Sequence, residues 1–232
     1  MIHLKTFESF IGEGRSAYDG LASKLTKGTM NTWVNGYSGG NASINYVDQI
    51  EERGLEFDLN ATIHIDKKFK GFEVLNSTGA DGRDDDDEGD FQTPFINIDF
   101  GINPEWIPGE WSTVYFHLAD VMRHEMEHIT QDGVDNGNYR AGKPIEDDSE
   151  LRAYIKMGLL PKSQYLMLPK EVDANLQGLR YEAKKRKESM IDTVTRYLDT
   201  QEQSGVIDGK EREEVLTLWR RRAKKIGGIP KF

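Results

Sequence analysis

The chain contains no cysteine. That excludes disulfides and every thiolate metal site, so a metal ion here has to be held by His, Asp, Glu or backbone oxygen. Long hydrophobic runs are also missing. No stretch approaches the roughly 18 apolar residues needed to cross a bilayer. The first residues, "MIHLKTFESFIGEGRS", lack the basic, apolar and small-residue zones of a secretory signal. These absences predict a cytoplasmic protein with no membrane partner. Positive charge is scarce: 30 Lys and Arg stand against 40 Asp and Glu, a formal net charge of −10. Nonspecific binding of nucleic acid by the whole chain is therefore unfavourable. There is no internal repeat, no phosphate-binding glycine loop and no nucleophile-elbow serine.

What is present is a chain of 232 residues, enough for one sizeable core or a core with a helical appendage. From Arg15 to about Val34, Tyr18, Leu21, Leu25 and Trp33 recur at helical intervals, with Gly20 and Gly28 as interruptions. "INYVDQIEERG" reads as a short helix ending at Gly54. "ATIHIDKKF" alternates as a strand, and "GFEVLNS" is a weaker one. The clearest strand is "PFINIDFGINP", with Ile96, Ile98, Phe100 and Ile102 on one face and Asn97, Asp99 and Gly101 on the other. Between these last two strands, "GADGRDDDDEGD" crowds seven carboxylates, which reads as a solvated loop without the spacing of an EF-hand. A long helix follows from about Glu110 to Gln131. Later helices are "SELRAYIKMG", a long one behind Pro169 with a bend near Gly178, and a last one opened by a capping box at Asp208 and Glu211. The part from about Leu176 onward is net basic, with "AKKRK" and "WRRRAKK". Those helices offer a weak route to nucleic acid or another acidic surface; a solvated face is the plainer reading.

The long helix carries the chemistry. "DVMRHEMEHITQDG" places His124 and His128 four residues apart with Glu125 directly after the first. At about 100° per residue, with His117 at zero, His124 lies near −20° and His128 near +20°. Trp111, Val114, Leu118, Met122 and Ile129 cluster at about 60° to 140°, and Asp120, Arg123, Glu127 and Thr130 fall opposite. The histidines thus flank the apolar stripe, one turn apart, where both imidazoles can point at one ion. Glu125 lies beside that ion, too far round to be a ligand and well placed to act as a base. His117 is two turns upstream, about 10 Å along the axis, and reads as a packing residue.

The "HEMEH" of His124–His128 resembles the zincin metallopeptidases. With "TPFINIDFGINPEW" before it and "YLMLPKEVDANLQGLRYEAKKRK" after it, the pattern is similar to HExxH metallopeptidases encoded by tailed bacteriophages, over about residues 60 to 190. The resemblance implies an α+β, zincin-like fold. A small mixed sheet would have an edge strand before the active-site helix, and C-terminal helices would follow. It implies 1–55 as an N-terminal helical segment, 56–200 as the peptidase core and 201–232 as a basic C-terminal helix on that core, all in one compact body. "INIDF" would be the edge that binds extended peptide, through Ile96, Asn97, Ile98, Asp99 and Phe100. The implied cofactor is one zinc ion and the implied partner a peptide or protein substrate. The place of action would be host cytoplasm or virion. Hydrolysis would use a zinc-bound water with Glu125 as general base.

The third zinc ligand is open at this stage. The metzincin pattern fails, because Gln131 and Val134 stand at its glycine and final ligand positions. Gluzincins take a glutamate from a later helix, and Glu171 is preferred here. It lies in the first turn behind Pro169, with Asp173 as an acceptor for a ligand imidazole. Glu146, Glu150, Asp132, Asp135 or no third protein ligand are the alternatives. Tyr115, His117, Tyr154 and Tyr165 are candidate oxyanion donors. The competing functional reading is a virion structural or assembly protein on a zincin scaffold, with a structural or inactive zinc site. A hydrolase acting on peptidoglycan is a third.

Overall fold

The computed structural model describes residues 7–52, 55–80, 93–107, 109–131, 148–226 and 228–232, with backbone alone for 7–17, Ala80, Gln131 and Ser149. The carboxylate-rich residues 81–90, and with them Glu146, Asp132 and Asp135, lie outside the described residues. The chain divides into two compact units, residues 18–143 and residues 1–17 with 144–232. The division expected at residues 55 and 200 is not where these units part.

The first unit is built on helix α1 (Phe7–Gly36) from Tyr18 onward, a four-stranded sheet, and helix α2, Trp111–Gln131. Strands β1 (Ala42–Glu52), β2 (Leu55–Ile65), β3 (Phe72–Ala80) and β4 (Phe95–Ile102) lie in the order β1-β2-β4-β3. β1 pairs antiparallel with β2, Ala42 opposite Ile65 and Glu52 opposite Leu55. β4 runs parallel to β2 and antiparallel to β3, with an irregularity between Val74 and Asn76. The fold is thus mixed α+β with a small mixed sheet, as the resemblance implies.

Alternation decides which face is covered. Along β2, Leu55, Phe57, Leu59, Ala61, Ile63 and Ile65 are buried, and along β4 so are Ile96, Ile98, Phe100 and Ile102. Trp33 of α1 is fully buried against this face, its ring edge 5.7 Å from Phe100 and its indole N–H donating to the Ala61 carbonyl at 3.2 Å. Ala61 leaves room for that indole, and the hydrogen bond satisfies its polar tip. Gly28 has a steric reason in α1: an added Cβ would stand 2.9 Å from the Tyr46 hydroxyl. The other face is polar, with Thr62 donating to Asn45 at 3.2 Å and His64 between Ser43 and Asp99.

Two expectations are corrected here. "INYVDQIEERG" is mostly strand β1, not a helix, so residues 1–55 are not a helical segment. The strand ahead of α2 is not an edge. β4 has β2 on one side and β3 on the other, so both rows of its backbone hydrogen-bonding groups face a neighbouring strand. Ile96, Ile98 and Phe100 point into the core, while Asn97 and Asp99 fall on the polar face. Addition of a peptide to β4 through these five residues is excluded by that pairing. The sheet ends at β1 and β3 instead.

The second unit is helical. α3 (Ser149–Lys156) is followed by a 3-10 segment at Lys162–Met167, then α4 (Pro169–Arg186), α5 (Met190–Gln203) and α6 (Gly209–Ala223). Its core gathers Leu166, Val172, Leu176, Leu179, Val194, Leu198, Val215 and Trp219, and the Trp219 indole donates to the Leu166 carbonyl at 2.8 Å. The helix behind Pro169 runs unbroken through Gly178 to Arg186; it ends at Lys187, whose φ of 58 is left-handed, and Ser189 caps α5. The capping box of Asp208 and Glu211 is formed. Among the described residues no helix is long and apolar enough to cross a membrane.

Candidate metal centre

α2 brings His124 and His128 together. Their Nε2 atoms are 3.1 Å apart and their ring centroids 4.8 Å. Two nitrogens bound tetrahedrally to zinc at about 2.0–2.1 Å would be roughly 3.3 Å apart, so the pair already has the spacing of two ligands. The same distance also fits a hydrogen bond between one protonated and one unprotonated Nε2. The side chains are half-buried, which leaves them reachable without full hydration.

Glu125 is 2% exposed and packs against the end of β3. A Cβ on Gly79 would fall 2.7 Å from the Glu125 carbonyl oxygen and 3.1 Å from its Oε2. No larger residue fits there without moving the helix or the strand. His117 stacks on Phe72 at 5.0 Å with an interplanar angle of 22°, the packing role that its place two turns away suggests.

The far side of α2 was read as the polar one, and it is buried. Arg123 and Glu127 are both 0% exposed, and the guanidinium donates twice to Glu127 Oε2 at 3.0 Å. Its Nε lies 3.5 Å from Asp19 of α1. Charges four apart on one face can enter a core because each supplies the other's counterion.

Glu171 sits in the first turn of α4 and is 1% exposed. Its Oε1 accepts from the Tyr165 hydroxyl at 2.8 Å and from Arg152 at 2.9 Å. Burial and the Glu171 charge push the Tyr165 hydroxyl up, so it stays a donor at neutral pH. Burial alone would lower Arg152; its hydrogen bond to Asp148 and the Glu171 charge outweigh that and hold it above its ordinary value. Of the four candidate oxyanion donors, Tyr165 thus contacts Glu171, Tyr154 is 42% exposed, and Tyr115 packs its ring edge on Phe116 at 5.7 Å. Glu150 is exposed. Asp173 is not placed as expected: both its oxygens accept from Arg222 at 2.6 Å, so that carboxylate is held by α6.

Among the described residues, one group of donors can hold a metal ion. Those donors are His124 and His128 on α2; Glu171, the carboxylate expected to complete them, belongs to the second unit. Arg152 and Tyr165 were not singled out as partners of Glu171. Arg152 lies 19 residues and Tyr165 six residues from it, in separate elements, and no periodicity links them. No protein-family model matches the chain, and comparison with curated proteins and with solved structures found no similar protein.

Proposed function

We propose that the chain is a zinc-dependent metallopeptidase, with His124, His128 and Glu171 as the residues that would hold the ion and Glu125 as the general base. The observation that carries this reading is the 3.1 Å approach of the His124 and His128 Nε2 atoms. Two imidazole nitrogens and one carboxylate oxygen are a donor set of catalytic zinc; calcium and magnesium take oxygen. Three protein ligands leave one tetrahedral position open, which distinguishes a catalytic centre from a closed structural one.

When bound, zinc supplies a lowered pKa for water, to about 7, and polarisation of a carbonyl. Glu125 stands one residue beyond His124, about 100° round the helix, where it would lie beside a bound ion and outside the ligand set. Its part is to take the proton of the attacking water and return it to the leaving amine nitrogen as the carbon–nitrogen bond breaks.

The substrate strand is assigned to β3 in place of β4. β3 ends the sheet, and Gly79 sets its last turn against Glu125. A peptide adding to the outer side of β3 would be held by backbone hydrogen bonds and carried past the base with little sequence demand. Gly79→Ala should therefore lower kcat about a hundredfold, the cost of an ångström of misplacement at a base, while zinc content stays unchanged. Turnover of a peptide substrate, measured beside zinc stoichiometry, checks this; an unaltered kcat would show that the contact does not set Glu125.

The reading as a whole is tested by metal analysis together with a casein assay. The purified protein should hold about one equivalent of zinc, lose it to chelator and cleave casein only when loaded. Below about a tenth of an equivalent, with none taken up on addition, the proposal fails. Zinc retained without cleavage would favour the assembly-protein reading.

A further inference from the structure

We propose that Arg152, anchored by Asp148, and Tyr165 are positioning residues that fix the Glu171 carboxylate for metal binding; this rests on the reading of Glu171 as a ligand. The observation is a polar network around one buried oxygen. Asp148 is 3% exposed and Glu171 1%. Arg152 donates from Nε to Asp148 Oδ1 at 2.7 Å and from Nη2 to Asp148 Oδ2 at 3.2 Å, a two-pronged grip that fixes the guanidinium plane. Its remaining nitrogen, Nη1, reaches Glu171 Oε1 at 2.9 Å and the Tyr165 hydroxyl at 3.3 Å. That hydroxyl donates to the same Oε1 at 2.8 Å, and the guanidinium lies 5.3 Å from the Tyr165 ring centre.

Three segments are thus committed to one oxygen: the start of α3, the 3-10 segment and the first turn of α4. Stability alone does not account for them. Burying two carboxylates with one guanidinium costs more solvation than the pairing reliably returns, and an apolar cluster would do as well.

Orientation supplies the rest of the argument. A glutamate has three side-chain torsions, and holding it at a metal costs rotamer freedom on the order of 1–2 kcal/mol. One donor on Oε1 would fix a point. Two donors from different directions fix the carboxylate plane, so the ordering is complete before an ion arrives. Lysine would not serve in place of Arg152. A single ammonium on a flexible stem can neither grip Asp148 at two points nor present a third nitrogen at a set angle.

The test uses the full chain and the variants Tyr165→Phe and Arg152→Lys. Zinc affinity is measured by competition with a chromophoric chelator, the cobalt(II) absorption spectrum is recorded, and unfolding is followed in excess chelator. Tyr165→Phe keeps the ring and removes one donor; Arg152→Lys keeps the charge and loses the grip. Each should weaken zinc about ten- to a hundredfold and shift the cobalt bands. Unfolding of metal-free Tyr165→Phe should stay close to that of the unaltered chain, which separates positioning from folding. Should Arg152→Lys fail to fold, Tyr165→Phe decides alone. Unchanged affinity and cobalt spectrum in the folded variants, with metal bound by the unaltered chain, would overturn the positioning roles. If the unaltered chain takes up neither zinc nor cobalt, the metal reading itself falls.

Discussion

Glu125→Gln should abolish peptide hydrolysis, lowering kcat by about 10²–10⁴-fold, while zinc uptake stays that of the unaltered chain. Glutamine keeps the size and shape of the side chain and cannot accept a proton at neutral pH. Shape matters at this position, because Glu125 is 2% exposed and lies against the Gly79 backbone. A smaller residue would open a void there and confuse lost chemistry with lost packing. Glu125→Asp provides the complementary test. It keeps the carboxylate and withdraws it by one methylene, so an intermediate rate is expected. Turnover on a peptide substrate, with zinc measured on the same samples, distinguishes the cases. A Glu125→Gln variant turning over at the unaltered rate would remove Glu125 from the mechanism.

Arg123→Ala should destabilise the protein by about 3–5 kcal/mol, the range for breaking a buried ion pair from one side. Arg123 and Glu127 are both fully buried, and Asp19 is 5% exposed. Taking the guanidinium away leaves two buried carboxylates without the cation that faces them, and a cavity where a large side chain stood. The energy lies in that asymmetry more than in the pair itself. Replacing Arg123 with Met and Glu127 with Leu, together with Asp19→Asn, should recover most of the loss, since no buried carboxylate then lacks its cation. Urea unfolding checks both variants by their midpoints, read at unchanged slope. A loss below about 1 kcal/mol for Arg123→Ala would mean that water or another cation takes over this role.

What the sequence discloses about this molecule is what short-range periodicity can carry. The alternation of Ile96, Ile98, Phe100 and Ile102 is enough to place β4, and the spacing of His124 and His128 is enough to place two donors on one helix face. Pro169 marks the start of α4, and Asp208 with Glu211 marks the start of α6. The failures share a cause. β1 is rich in Asp, Gln and Glu, so its polar content suggested a solvated helix; it is a strand because β2 pairs with it from Ala42 to Glu52. An internal strand with one polar face alternates just as an edge strand does, so β4 gave no sign of its second neighbour. Arg123 and Glu127 looked like a water-facing stripe because charge was read residue by residue, whereas burial was decided by their pairing. The break at Lys187 has neither glycine nor proline to announce it, only the Ser189 cap two residues on. Asp173 and Arg222 meet across 49 residues of chain, a distance at which local pattern is silent.

The place of β4 also has a consequence for the order of assembly. β1 and β2 are consecutive and antiparallel, so they can close as a hairpin on the timescale of microseconds. β3 comes next in the chain and has no pairing with β2; its partner is β4, which has not yet been added. Until β4 slots between them, β2 presents a bare row of amides and carbonyls and β3 remains an unpaired segment, the condition in which chains stick to one another. The entry of β4 is therefore the step expected to be slowest in completing the sheet, because its parallel register with β2 spans a wide loop of chain. α2 follows β4 directly, so the histidines reach their final setting only after this last strand has docked. Substitutions in β4 that spare the native contacts but delay its entry would thus show themselves as lower soluble yield, with each molecule that does fold retaining an intact His124–His128 pair.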